Sequence, residues 1–527
     1  MVFPTIEFAA FFVVVLTGSW LLMPHPRLWK PFILAASYVF YGYADIRFTL
    51  LLAAVTVVNQ AAAVAVARWH DHRIVVAATA ADLGLLGWFK YYGFFTESVD
   101  SALHSIGLGA PLPLLQVALP VGISFFTFQA ISYVVDVARG DFAPAKTLDF
   151  AVYQAFFPHL VAGPIVRARE FIPQLASPRD PAAVPATRAF FLIGGGLVKK
   201  VVIADLLATR LVDPVFGTPA QHSPLEVLIA VYGYAVQIYC DFSAYTEMAI
   251  GLALLLGFQF PDNFDRPYAA VSLQDFWRRW HMTLSRWLRD YLYIALGGNR
   301  GGRLRTYRNL MLTMLLGGLW HGASWTFVVW GALHGGGLAL ERWWGDRQAA
   351  RVRRVRRVRW LGAQTEPAGR PAGAFGVSAP GPRGERFRTG AGTAVTERAR
   401  VEAPQLTGTR LPTVFGWLAT FHFVCFAWIF FRAHDVATAR TVLGRLVGGA
   451  GTASGSGANA LVTPTVLVAI AVGLAVQFLP KQVWDTAQVH FARLGLVTQA
   501  ALLATLLVVI NAIVGQQGVA PFIYFRF

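Results

Sequence analysis

The chain has 527 residues, 56% of them apolar and 14% charged, with a mean hydropathy of +0.51. About a quarter of the residues of a water-soluble protein are charged, so this composition excludes a soluble enzyme. The net charge of +17 does not call for nucleic acid, because 14 Arg against 4 Glu between Arg347 and Arg410 supply +10 of it, and the asymmetric loops of a membrane protein account for the rest.

A bilayer core about 30 Å thick needs about 20 apolar residues per spanning helix. Apolar runs lie near 6–24, 31–44, 48–67, 74–96, 112–135, 189–209, 224–257, 309–344, 412–431, 461–479 and 496–513, the run at 309–344 being long enough for two passes. The chain therefore reads as an all-α polytopic membrane protein with about 11–13 membrane helices in one domain spanning 1–527. Glu7 is the only charge in the first nine residues, so the first run predicts a retained anchor rather than a cleaved signal. Arg27 and Lys30 follow the first span, Arg68 and Arg73 the third, and Arg139 and Lys146 the fifth. Basic loops alternate, which places the N-terminus outside.

Three segments fit neither a span nor a loop. Ala151–Ile165, broken by Pro158 and Pro164, predicts a re-entrant segment buried in protein or lining a wet cavity. Within 224–257, Gln237, Tyr239, Asp241, Ser243, Tyr245, Thr246 and Glu247 interrupt an apolar helix. The carboxylates of Asp241 and Glu247 need partners or solvent, and the nearest basic segment in sequence is 272–296. Asp241 reads equally as a core ion pair or as a site residue.

Ser272–Leu296 carries Arg278, Arg279, Arg286 and Arg289 among aromatics. As one helix it places Phe276, Trp280, Leu284, Trp287 and Tyr291 within an arc of about 80°, with His281, Ser285, Arg278 and Arg289 on another. That pattern predicts an interfacial amphipathic helix. The loop that follows, GGNRGGRLR at 297–305, is glycine-rich and suited to wrapping a phosphate.

Between Leu315 and Trp330, His321 sits in the middle of an apolar segment. An ionisable group at that depth marks a functional site or a helix-to-helix hydrogen bond. Trp320 and Trp325 are its expected aromatic walls; His334 is a second candidate with no evident polar neighbour. The Arg-rich stretch 346–410 lacks apolar periodicity and predicts a disordered cytoplasmic loop, a topology signal more than an anionic-lipid site. Cys240 and Cys425 lie in apolar runs and suggest no redox or thiolate chemistry.

The segments VGISFFTFQAISYVVDVARG (121–140), FFPHLVAGPIVRAREFIPQL (156–175), QIYCDFSAYTEMAIG (237–251), FWRRWHMTLSRWLRDYLYIALGGNRGG (276–302) and LWHGASWTFVVWGALHG (319–335) together resemble the membrane-bound O-acyltransferase family. Within it they are most similar to the bacterial membrane subunits of alginate O-acetylation. Ala244, Glu247, Arg526 and the long insert depart from the pattern.

The resemblance implies a funnel from each side meeting at an embedded histidine, with the WHG histidine being His321 and the RWH histidine His281. It further implies an acetyl-CoA donor inside, a hydroxyl acceptor outside, and an extracytoplasmic partner transferase that completes acetylation of a cell-surface polysaccharide, in the bacterial cell membrane. Histidine suits the general-base role in such a transfer. His321 is the expected base, and His281 the residue that orients the acceptor or stabilises the tetrahedral intermediate. Arg278, Arg279, Trp280, Ser285, Arg286, Arg289, Asn299 and Arg300 are the expected donor contacts. Gln237, Tyr239, Asp241, Trp320 and Trp325 are the expected supporting residues, and no metal site is expected. The alternatives are an acyltransferase acting on a lipid, a teichoic-acid-like polymer or a small metabolite with another donor, and, in another class, a membrane transporter.

Overall fold

The structure, a computed structural model, describes residues 3–43, 45–108, 118–161, 163–364, 413–448, 460–514 and 522. Every regular element among them is helical. The chain divides into two units, residues 1–339 with 414–527, and residues 340–413.

In the first unit, Thr5 caps helix α1 (Ile6–Leu22), and α2 (Pro26–Gly42) carries proline at its first position, where the missing N–H costs nothing. Asp45 and Asp71 cap α3 (Ile46–Trp69) and α4 (His72–Leu86) through their carboxylates. Helix α4 runs on through a π turn (Gly87–Tyr91) into α5 (Tyr92–Ser105). Next come α6 (Ile123–Ala138), α7 (Thr147–Ala155), and α8 (Ala186–Leu197) with a π-helical continuation over Val198–Asp205. Helix α9 (Pro224–Leu255) starts on a reciprocal capping box between Ser223 and Glu226.

Two short pieces follow, α10 (Leu273–Arg279) and α11 (Met282–Trp287), then α12 (Arg303–His321) and α13 (Trp325–Gln364). The closing helices are α14 (Thr413–Arg432), α15 (Val436–Val447), α16 (Pro464–Ala475), α17 (Lys481–Ala492) and α18 (Leu496–Val514).

Four of the described helical stretches are long and apolar enough to cross a bilayer alone: α3, the continuous α4–α5, α9 and α14; α16 and α17, bent by 101°, make a fifth if they form one broken span. Other apolar runs fall on shorter helices, among them α1 (17 residues), α6 (16 residues) and α18 (19 residues). The run at 189–209 is interrupted by Gly194–Gly196 and then widens into the π segment. The run at 309–344 is two helices joined by a tight turn, as its length required.

Burial separates the inner helices from the outer ones. The apolar window of α9 is 78% buried and that of α4–α5 only 17%, so α9 forms the core, and Val76, Leu83 and Phe95 of α4–α5 face outward, where lipid accepts them. The Ala151–Ile165 segment breaks at Phe156 (ψ 106°) and is buried on both sides of the break. The Tyr153 hydroxyl donates to the Val166 carbonyl at 2.9 Å, and His159 Nε2 lies 2.8 Å from the Tyr153 carbonyl. Cys240 and Cys425 are free and buried.

In the second unit α13 continues to Gln364, with the Arg347 guanidinium 3.8 Å from the Trp343 ring centroid. The stretch expected to be a disordered loop from 346 therefore begins as helix. Its part from 365 to 410 lies outside the described residues, as does Arg526.

Candidate active site

Ser272–Leu296 is not one helix. Ser272 caps α10, Trp280 turns extended, and His281 takes a left-handed conformation (φ 43°, ψ 53°) before α11 begins. Asn263 holds this break. Its Oδ1 accepts from the Thr283 amide (3.1 Å), the Thr283 hydroxyl (2.9 Å) and His281 Nδ1 (3.2 Å). Because an amide N–H needs an acceptor, that atom is the oxygen, so His281 Nδ1 carries the proton and Nε2 the lone pair. His281 is fully buried, its ring 4.7 Å from that of Phe242, and Nε2 has no hydrogen-bond partner among the described residues. The arcs of a continuous helix do not survive the kink, and the expectation that His281 shares a face with Arg278, Ser285 and Arg289 is corrected.

His321 is the last residue of α12 and is 3% exposed. Its ring lies 5.0 Å from Trp320, 5.1 Å from Trp330 and 5.1 Å from Phe431. Trp320 is shared, because the His281 ring is 6.0 Å from it as well. Behind Trp320, Phe125 and Phe128 stand at 5.4 Å, and Phe128 stacks on Trp287 at 3.7 Å.

The hairpin turn after His321 sets this enclosure. A Cβ on Gly318 would meet the Phe327 carbonyl oxygen at 2.3 Å, and one on Gly331 would meet that of Met314 at 2.4 Å. Only glycine permits this approach of α12 to α13, which delivers Trp330 to the histidine. Trp325 is not a wall: it is 56% exposed and packs on Phe94 at 5.4 Å. Trp330 and Phe431 take that place. His334 does have a polar neighbour, since Trp277 Nε1 donates to its Nδ1 at 3.3 Å. His321 is thus buried, with Trp320, Trp330 and Phe431 around its ring.

Asp241 and Glu247 of α9 find lysines, not the arginines of 272–296. Lys200, 1% exposed, bridges Asp241 and Asp205 at 2.8 Å each; Lys199 pairs with Glu247 and donates to Ser243 Oγ at 3.1 Å. Gln237 and Tyr239 are buried, Tyr239 standing 5.9 Å from both Phe264 and Tyr268. Helix α9 meets His281 through Phe242, and Asn263 through Thr246, which accepts from Asn263 Nδ2 at 3.5 Å.

The expected donor contacts separate into three groups. Arg278 and Arg300 are exposed with no carboxylate partner among the described residues. Arg279, Arg286 and Arg289 pair with Asp275 (2.8 Å), Glu170 (3.8 Å) and Asp290 (2.7 Å) at partly exposed sites, where ion pairs are weak and exchangeable. Trp280 is core, 5.0 Å from Trp428; Ser285 donates to the Trp280 carbonyl; Asn299 accepts from the Tyr293 hydroxyl. The 297–305 loop turns through Gly297, Gly298, Gly301 and Gly302, all at positive φ, and Asn309 ties it down by donating to the Gly298 carbonyl at 3.0 Å.

Beside that loop, Arg167 binds Asp290 at 2.8 Å, and Arg139 donates to the Asp290 carbonyl at 3.2 Å. Burial pushes the Asp290 carboxyl up, but Arg289 and Arg167 outweigh it and hold it below its ordinary value. Arg167, Asn263, Trp330, Phe431 and Lys90 are site-forming residues that sequence reasoning missed. Lys90, at the π turn, donates to the Trp320 and His321 carbonyls.

The chain matches the membrane-bound O-acyltransferase family over residues 33–363, a range that contains both histidines. It is 44% identical over 376 residues to the probable alginate O-acetylase AlgI of Azotobacter vinelandii, covering 68% of this chain and 72% of that one. It is 32% identical over 454 residues to the peptidoglycan O-acetyltransferase of Helicobacter pylori, covering 80% and 74%. With the teichoic acid D-alanyltransferase of Streptococcus thermophilus it shares 28% over 310 residues, covering 52% and 75%.

Proposed function

Because the chain belongs to the membrane-bound O-acyltransferase family and is thus a multi-pass membrane O-acyltransferase, we propose that it moves an acetyl group from cytoplasmic acetyl-CoA to a hydroxyl presented from the opposite side. The observation that carries this reading is that two buried histidines share Trp320 as a ring neighbour.

In the proposed reaction, His321 takes the acceptor's hydroxyl proton as its oxygen attacks the thioester carbonyl. The tetrahedral intermediate collapses with loss of the coenzyme A thiolate, which recovers the proton as thiol. With its lone pair on Nε2, His281 accepts a hydrogen bond from a second donor group of the acceptor, beside the reacting hydroxyl, and so aims that hydroxyl at His321. That tautomer favours the orienting role over donation to an oxyanion, which needs an N–H.

The donor end is read as Arg278 and Arg300, whose free guanidiniums suit phosphate groups, with Arg286 and Arg289 able to exchange their weak carboxylate partners for them. The tight rings around His321 support a short acyl group. The activities that name the relatives, alginate O-acetylation and peptidoglycan O-acetylation, support a cell-surface polysaccharide as final acceptor, reached through an extracytoplasmic partner transferase.

The test is purified protein in sealed vesicles given acetyl-, butyryl- or palmitoyl-CoA on one face and a glycan with the partner on the other. Thiol release coupled to acetyl ester on the far side is expected, with longer chains slower by at least about tenfold. Transfer only to an acceptor on the donor's side, or equal rates for all chains, contradicts the proposal.

A further inference from the structure

Helix α12 stops at His321, and Gly322 is already extended (φ −160°, ψ 151°). The last four carbonyls of a helix have no donor within it, and at membrane depth no bulk water substitutes. Three of these four are taken by two consecutive residues of another helix. The Tyr91 hydroxyl donates to the Leu319 carbonyl at 2.7 Å, and Lys90 Nζ donates to those of Trp320 at 2.6 Å and His321 at 3.0 Å.

Both residues belong to the π turn Gly87–Tyr91 that interrupts α4–α5. A π turn is wider than an α turn and recurs at functional sites; here it aims two adjacent side chains at one helix end. The arrangement is also electrostatically favourable, because a lysine amine faces the negative end of the α12 dipole.

We propose that Lys90 and Tyr91 are positioning residues for His321, clamping the peptides on both sides of it and so fixing the direction of its imidazole among Trp320, Trp330 and Phe431. The inference rests on the reading of His321 as the proton acceptor. Ring direction follows backbone direction through χ1, and misplacement of a catalytic group by about 1 Å costs about 100-fold in rate. A mere helix cap would contribute stability and leave turnover of the folded protein alone.

The experiment compares wild type, Lys90→Met, Lys90→Arg, Lys90→Ala, Tyr91→Phe and His321→Ala in vesicles, measuring kcat, KM for acetyl-CoA, and the folded fraction by thermal unfolding. Lys90→Met is expected to lower kcat about 100-fold with KM within about twofold. Lys90→Arg should restore part of the loss, and added ethylammonium should do so in Lys90→Ala. Should Lys90→Met not fold, Tyr91→Phe carries the test, with kcat lower by about fivefold for one lost hydrogen bond.

Wild-type kcat in folded Lys90→Met, or losses that follow the unfolded fraction and resist both arginine and amine, overturns the proposal. If His321→Ala is inactive while folded Lys90→Met is normal, the clamp alone falls. If His321→Ala turns over normally, the role of His321 falls whatever Lys90 does.

Discussion

His281 shows how one residue redirects a segment. Its left-handed backbone is held by three hydrogen bonds that converge on Asn263, a residue 18 positions away in the chain. Helical periodicity carries no trace of such a long-range hold, which is why the arcs drawn across 272–296 failed. The histidines themselves were legible, since an ionisable group in an apolar run stands out. The same rule picks out Lys90 in its run, and applying it only to histidine left Lys90 unnoticed. Trp330 and Phe431 were not legible as walls, because which rings face His321 depends on how α12, α13 and α14 pack.

At this scale Asp290 offers a pH test. Its carboxyl is held below its ordinary value by Arg289 and Arg167, so its contribution to stability is complete above the unfolded value of about 3.9 and disappears as pH falls through the folded one. Asp290→Asn should lower the unfolding free energy at pH 7 by roughly 3 kcal/mol, the cost of leaving the nearly buried Arg167 without its partner, and the thermal midpoint with it. The gap to wild type should narrow below about pH 4. A gap that is constant down to pH 3 would show that the ion pair contributes nothing.

At the scale of elements, the backbone contact between α12 and α13 depends on Gly318 and Gly331. Gly331→Val places a branched side chain where the Met314 carbonyl already stands, and the helices must part. That separation moves Trp330 away from His321, so activity should fall together with the folded yield, read by size exclusion and thiol release. A well-folded, fully active Gly331→Val protein would mean the hairpin does not build the site.

The two-pass hairpin was predictable from run length. The π segments at Gly87–Tyr91 and Val198–Asp205 were not, because periodicity does not distinguish a π turn from an α turn over five to eight residues. For the same reason the lysines of the second segment were not foreseen as partners of Asp241 and Glu247. Sequence proximity pointed to the arginines of 272–296, whereas packing of α8 against α9 decided otherwise.

At the scale of the molecule, composition alone settled the class, and the five motifs settled the family, because apolar content and ordered motifs do not depend on packing. The number of full membrane crossings did not follow as directly, since several apolar runs fall on helices too short to cross alone, among them α1, α6 and α18, of which α6 is buried while α1 exposes Val13, Val14 and Leu21. In the reaction proposed above, the exposed arginines collect an anionic donor and the buried His321 activates the acceptor.

The most direct test of that claim is the rate of thiol release from acetyl-CoA by His321→Ala in vesicles, with acceptor and partner present. The account predicts a folded protein whose kcat is lower by about 10² to 10⁴, the range of a lost general base. Turnover within about twofold of wild type would contradict it.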